Sequence, residues 1–343
     1  MIKNARQIKM IPRNRIIEPD ISVLQMYRNT RVDPHDIDFA SSVSNSLLHR
    51  YPAIEDFKDR YSSYLGVSSE NILLTSGIDG AIRVVFELYG RNSTVVLLEP
   101  TYAMYRIYAS AFGANVISIL PDTNSFIIDE EAIKSVCKNT EIVFIPNPNA
   151  PIENVFDLDA LKRLADLSDK EGFLLFIDEA YYGFGSPSAI ELTKEHNNVF
   201  VARSFSKWFG LPAIRLGCIV GNAKKLLEME SLRLAYETNQ LSISVANAAL
   251  NNIEYFQDYA DQISRSRVVL KSRMSDFGIR THGNLSNNIL IRSTLGPELE
   301  NNRILVRQSI PKPAEGWMSV TLGSLSATDF FVKNFEEILN NKV

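Results

Sequence analysis

Lys207 lies in the run Ala202-Arg203-Ser204-Phe205-Ser206-Lys207-Trp208-Phe209-Gly210, just after two hydroxyl-bearing residues, and Arg215 follows eight positions later in Ile214-Arg215-Leu216-Gly217. An amine that is to form a Schiff base needs a fixed stem, and a phosphate beside it needs hydroxyl donors and a guanidinium. Pyridoxal 5'-phosphate requires both at once, so the stretch reads as an attachment site for that cofactor. A Ser-x-Ser-Lys string alone is weak, because most such strings are solvated loops. Its weight comes from the residues that accompany it.

Those residues fall where short apolar runs end. Asp178 follows Phe173-Leu174-Leu175-Phe176-Ile177 directly. A carboxylate there can pair with a protonated pyridine nitrogen and strengthen the ring as an electron sink; the bland alternative is a strand-end Asp that caps a helix. Ile142-Val143-Phe144-Ile145 is followed by Pro146-Asn147-Pro148-Asn149-Ala150-Pro151, in which Asn149 could donate to the cofactor's phenolic oxygen, or the turn could be simple loop punctuation. Val95-Val96-Leu97-Leu98 leads into Glu99-Pro100-Thr101-Tyr102, where Tyr102 could stack on the pyridine ring or merely pack in the core. Leu73-Leu74-Thr75-Ser76-Gly77-Ile78-Asp79-Gly80 reads as a strand, a glycine turn and a helix start, whose free amides and dipole would cradle a phosphate.

The elements that must position these side chains are themselves legible. The apolar runs do not alternate with polar residues, as expected for strands covered on both faces by helices. Val116–Ile119, Val199–Val201 and Cys218–Val220 extend the set, and helical patterns such as Asp157–Ala165 lie between them. The pattern predicts an α/β fold with a doubly wound, mainly parallel sheet, whose ligands sit outside the carboxyl ends of the strands. Three units are expected: a segment over 1–44 that joins the small domain, a large cofactor-binding domain over 45–240, and a linking helix plus small α+β domain over 241–343. In the last, a helical stretch near 240–275, strands at Asn288–Arg292, Arg303–Arg307 and Met318–Leu322, and a closing helix over Ala327–Asn341 are predicted.

The chain has 343 residues, 45% of them hydrophobic and 22% charged, with net charge −4. Such a balance gives no electrostatic footprint for nucleic acid, and no apolar run approaches the roughly 20 residues that span a bilayer. Met1–Gln7 has no apolar stretch of signal-peptide length, so a cytoplasmic protein is expected. Cys137 and Cys218 form no Cys-x-x-Cys pair and are read as buried reduced thiols.

Taken together, Ser-Phe-Ser-Lys-Trp-Phe-Gly-Leu, Ile-Arg-Leu-Gly and Asp-Glu-Ala-Tyr make the chain, from about Ile37 to Gly323, resemble the fold-type I pyridoxal-phosphate aminotransferases of class I/II, and within them the histidinol-phosphate aminotransferase branch. The resemblance implies that Lys207 holds the cofactor covalently and shuttles a proton between Cα and C4'. It implies that Ser204, Arg215 and the amides near Asp79 and Gly80 hold the phosphate, that Tyr102 stacks, that Asp178 meets the pyridinium, and that Tyr181 with Asn149 meets the phenolic oxygen. Tyr51 matches a tyrosine that reaches the phosphate of a neighbouring subunit, which implies a homodimer with shared active sites.

Three departures bear on substrate. The usual Pro-Thr-Gly after the asparagine turn is Pro151-Ile152-Glu153. The usual Asn-Glu-Asn-Pro segment is not found, and Phe39–Asn45 runs almost straight into Tyr51, which predicts a shortened pocket wall. In Trp317-Met318-Ser319-Val320-Thr321-Leu322-Gly323, Ser319 stands where the carboxylate-gripping arginine is expected. Serine cannot replace a bidentate guanidinium, and Arg307, Arg303 or Arg233 are candidate substitutes. The resulting expectation is an aminotransferase that works by ping-pong transfer between a small-molecule amino donor and an oxo acceptor, like the histidinol-phosphate enzymes but with a different substrate, one that lacks an α-carboxylate or is held by displaced residues. A decarboxylase or lyase using the same cofactor is the alternative, and a non-catalytic binding protein of the same fold is the remaining one.

Overall fold

The computed structural model describes residues 23–341. Its strands in chain order are β1 (Leu24–Met26), β2 (Ile72–Thr75), β3 (Thr94–Leu98), β4 (Asn115–Ile119), β5 (Ile142–Pro146), β6 (Leu174–Asp178), β7 (Val199–Ser204), β8 (Gly217–Val220), β9 (Thr281–His282), β10 (Asn288–Ile291), β11 (Ile304–Val306) and β12 (Met318–Thr321). Seven of them form the central sheet in the order β2-β8-β7-β6-β5-β3-β4. β4, β3, β5, β6 and β7 pair in parallel, and β8 runs antiparallel between β7 and β2.

Continuous apolar strands need cover on both faces, and both faces have it. Val96, Val143, Ile145, Leu175 and Val201 point into one core cluster, which the helices Leu158–Glu171 and Ile253–Asp276 complete with Leu161, Leu164, Ile263 and Leu270. Val95, Phe144, Phe176 and Phe200 point into the other, completed by Ile82, Phe86 and Tyr105 from the helices Gly77–Tyr89 and Ala103–Phe112. Each such side chain removed from water contributes about 1.5–3 kcal/mol. The connections are set locally: Asp157 caps the helix Leu158–Glu171 by accepting from the Ala160 amide, and Gly172, at φ 84°, ends it and returns the chain into β6. Because β3, β5, β6 and β7 are parallel, the residues that follow them converge on one edge of the sheet.

Beyond the large sheet, β12, β10 and β9 form a three-stranded antiparallel sheet, and β1 pairs in parallel with β11. The expectation for residues 1–44 falls partly on residues 1–22, which lie outside the described residues; within the remainder, β1 ties the N-terminal segment to β11. The single helical stretch expected near 240–275 is two helices, Gln240–Leu250 and Ile253–Asp276. The break falls at Asn251-Asn252, where the Asn252 side chain donates to the Ala248 carbonyl at 2.8 Å, a local bond that competes with helix propagation. The closing helix is Leu325–Asn340, capped by the Ser324 hydroxyl. Among the described residues, no helix is long and apolar enough to cross a membrane. Cys137 and Cys218 are both buried and free.

Candidate active site

A cavity of about 370 Å³ opens at the carboxyl ends of β5, β6 and β7, and Lys207, Asp178, Tyr181, Ser204, Arg215 and Tyr102 all line it. Asp178 is the last residue of β6 and is buried. Its carboxylate accepts from the Tyr105 hydroxyl at 2.8 Å and from the Ala180 amide at 2.9 Å. Burial raises its pKa to about 6, against the lowering effect of these two hydrogen bonds and of the Lys207 charge. Lys207, just past β7, is lowered to about 8, first by desolvation and further by Arg215 and Arg307, with Asp178 and Asp79 opposing. An amine so tuned is neutral often enough near neutral pH to act as nucleophile and base. Tyr105 lies deep in the sheet-facing core, and burial keeps its hydroxyl protonated and donating.

One end of the cavity carries groups that could hold a phosphate. The helix Gly77–Tyr89 presents its first turn there, with Ile78 and Asp79 lining the space, and its free amides and dipole favour an anion. Arg215 stands across from it, 3.6 Å from Asp79 and 3.5 Å from the Ser206 hydroxyl. Gly77 sits at φ 66°, a conformation that favours glycine, and a Cβ there would come 2.8 Å from Arg215 Nη2 and displace the guanidinium. Ser204 lines the cavity as expected, its hydroxyl accepting from the Ser206 amide at 3.0 Å. Ser206, adjacent to the lysine, belongs to the same group and was not singled out from the sequence. Gly80 is not part of the lining; its amide turns back to the Ser76 carbonyl at 3.4 Å.

Tyr102 is half exposed, and its hydroxyl donates to Asp79 at 2.8 Å, which holds the ring over the cavity. Tyr181 is buried, with a pKa pushed up to about 12 by desolvation, against hydrogen bonding from Asn29. The assignment of Asn149 is corrected. Its side chain is 2% exposed and faces away, donating to the Pro100 carbonyl at 2.9 Å and accepting from Thr101 at 2.8 Å. The turn residue that faces the cavity is Ala150. Asn149 is spent on holding the loop after β3 against the loop after β5.

The altered Pro151-Ile152-Glu153 turn also has a structural account. The Glu153 carboxylate accepts from the Leu285 amide at 3.0 Å and from the Ser286 hydroxyl at 2.6 Å, and Ile152 packs against Leu290 and Trp317. These bonds fasten the turn to the β9–β10 connection. The predicted shortening of the pocket wall is corrected as well, because Tyr27, Arg28 and Asn29, just after β1, supply that wall. The chain between Phe39 and Tyr51 lies elsewhere. β1 reaches the cavity through its parallel pairing with β11, a contact between distant segments that no local pattern announces.

Arg307 opens into the cavity, and among the described residues no carboxylate forms an ion pair with it. Ser319 bridges the Arg307 backbone, is 1% exposed, and does not line the cavity. Arg233 is engaged with Glu237 at 3.1 Å outside the cavity, and Arg303 does not line it. Tyr51 is 76% exposed, stacks on Tyr236 with centroids 4.3 Å apart, and lies outside this chain's own cavity.

An amine, a carboxylate and an anion cradle at the ends of parallel strands define the layout of a pyridoxal-phosphate enzyme, and the cavity's residues fit that cofactor. The aminotransferase class I and II family model matches residues 30–324, and the chain belongs to that family. It is 30% identical over 291 residues to the histidinol-phosphate aminotransferase of a Thermotoga species, covering 82% of each chain. The solved histidinol-phosphate aminotransferase of Clostridium acetobutylicum superposes with a TM-score of 0.85 at 22% identity, over 93% of this chain and all of that one. The Sinorhizobium meliloti enzyme of the same name, solved with pyridoxal-5'-phosphate, superposes at 0.82 with 19% identity, over 93% and 91% of the two chains. Within fold type I the chain falls in this branch, and its cofactor is pyridoxal 5'-phosphate.

Proposed function

We propose that the protein transfers an amino group in two half-reactions: a donor leaves its amino group behind and departs as the oxo compound, and an oxo acceptor then takes that group. The observation that carries this reading is the pairing of Lys207 and Asp178 in one cavity, with pKa values moved towards neutrality from opposite sides. The cofactor, when bound, supplies the electron sink. Lys207 holds it and moves a proton between the substrate's α-carbon and the cofactor's C4'. Asp178 would meet the ring nitrogen, whose positive charge would offset the burial that raises the Asp178 pKa. Arg215, Ser204, Ser206 and the first turn after Gly77 hold the phosphate, and Tyr102 covers one face of the ring. Tyr181 would donate to the phenolic oxygen. Exposed and stacked on Tyr236, Tyr51 would reach the phosphate of a second copy in a homodimer.

The substrate reading follows from the C-terminal strand. A guanidinium there would grip a carboxylate, and Ser319 leaves that place without a cation. Of the candidate substitutes Arg307, Arg303 and Arg233, Arg307 lines the cavity, beside Arg28 and the phosphate-end Arg215, which favours an anionic group of the substrate towards β11 rather than β12. A substrate other than the standard pair follows. The test is to follow the holoprotein's visible absorption through a panel of amino donors. A spectral change with stoichiometric oxo product supports transfer. Release of carbon dioxide with an amine product would assign a decarboxylase instead, and no response to any donor, with no turnover, would favour a binding protein.

A further inference from the structure

We propose that Asn29 is a positioning residue for Tyr181: it occupies the acceptor side of the tyrosine hydroxyl, so that the hydroxyl proton is directed into the cavity at the cofactor's phenolic oxygen. This rests on the role given above to Tyr181. Asn29 Nδ2 donates to the Tyr181 hydroxyl at 3.0 Å across 152 residues of sequence. The amide's orientation is fixed by Thr321, whose hydroxyl accepts from the Asn29 backbone amide at 2.9 Å and donates to Asn29 Oδ1 at 3.4 Å. With its oxygen committed to Thr321, the Asn29 side chain can offer Tyr181 only N–H. A hydroxyl that accepts from Asn29 must send its own proton elsewhere.

Asn29, Thr321 and Tyr181 are all buried, so this chain of bonds is not diluted by water. Burial holds Tyr181 protonated, which keeps it a donor near neutral pH. The arrangement answers a local loss: the turn residue facing the cavity is Ala150, which has no donor, and Asn149 is turned away. Tyr181 therefore carries alone a contact that the expected pair would have shared. The anchor of the relay sits on β12, two residues beyond Ser319 and on the same face of the strand.

The simpler role for Asn29 is its backbone, which sits at φ 52°, a conformation that asparagine tolerates better than most residues. Aspartate and glycine also tolerate it, so the two roles separate. The charged groups around Tyr181 are Asp178, Arg307 and Lys207, whose amine is 5.6 Å from the ring centroid, and all stay in place in each variant below. A hydrogen bond donated by Tyr181 to the cofactor's phenolic oxygen would draw electron density from the ring side of the Lys207 attachment and lower its proton affinity. Losing that bond would raise that affinity.

The experiment is a spectrophotometric pH titration of the holoprotein, with cofactor affinity measured in parallel. Asn29→Gly is expected to raise the midpoint by about half a unit to one unit. Asn29→Asp, whose carboxylate only accepts, should raise it at least as far, and Thr321→Val should move it less in the same direction. In a Tyr181→Phe background, Asn29→Gly should add nothing. An unchanged midpoint in both the Asn29→Gly and Asn29→Asp holoproteins, or an additive shift in the double variant, overturns the proposal; if neither variant folds, Thr321→Val decides it by the same criterion. If Tyr181→Phe itself leaves the midpoint unmoved, the role of Tyr181 fails first.

Discussion

Asp178 and Glu179 are consecutive at the end of β6, yet they serve opposite ends. Glu179 is sealed: its carboxylate meets Arg203 at 2.6 Å, the Ser188 hydroxyl at 3.1 Å and the Ala189 amide, and the Arg203 guanidinium lies 3.2 Å from the centroid of the Tyr182 ring. Asp178 has the Tyr105 hydroxyl and the Ala180 amide, and beyond them faces an amine across a cavity. The sealed pair has a fixed counter-charge, and its guanidinium is held above its ordinary pKa. The cavity pair is left partly unsatisfied, with the acid raised to about 6 and the amine lowered to about 8. One strand end thus provides both a structural clamp and a titratable pair, and the difference is whether the carboxylate's partners are permanent.

The largest effect that breaks this comparison is Lys207→Ala, which should lower turnover by about a thousandfold or more and abolish the covalent absorption band. Steady-state rates and the visible spectrum check it. Next, Arg203→Met leaves Glu179 buried with no counter-charge and should cost about 3–5 kcal/mol in urea denaturation. Adding Glu179→Leu should recover most of that loss, because both charges are then gone. Asp178→Asn is smaller in energy and acts on the chemistry: cofactor affinity should fall about tenfold, ~1.4 kcal/mol. Since the Asp178 charge raises the Lys207 pKa, the same variant should move the midpoint for covalent capture of cofactor below 8. Rates of cofactor uptake by the cofactor-free protein across pH read that midpoint. Glu153→Gln, at a third buried carboxylate with fixed partners, should cost about 1–2 kcal/mol and leave the absorption band unchanged.

Much of the cavity was legible because its side chains sit directly after apolar runs, where a parallel sheet must place its ligands. Asp178 and Tyr102 could be read this way, Lys207, Ser204 and Arg215 from their spacing in one short stretch, and all five line the cavity. The turn after β5 departs from the sequence expectation by one position, because Asn149 and Ala150 differ in which way the turn points them, a matter of loop geometry rather than local pattern. Asn29 and the wall around it carried no signal at all, since β1 gains its place by pairing with β11 far along the chain. Tyr105 was hidden for another reason: a tyrosine inside an apolar helix reads as core, and its hydroxyl matters only because Asp178 lies opposite. The helix break at Asn251-Asn252 turned on side-chain bonds that periodicity does not register.

The central claim is that Lys207 is the attachment point in this cavity. Reducing the holoprotein with borohydride, digesting it and weighing the peptides tests that most directly. The account predicts the added mass of reduced pyridoxal phosphate on the peptide carrying Lys207 and on no other. The same mass on a different lysine, or a cofactor that washes away unlinked after reduction, would contradict it.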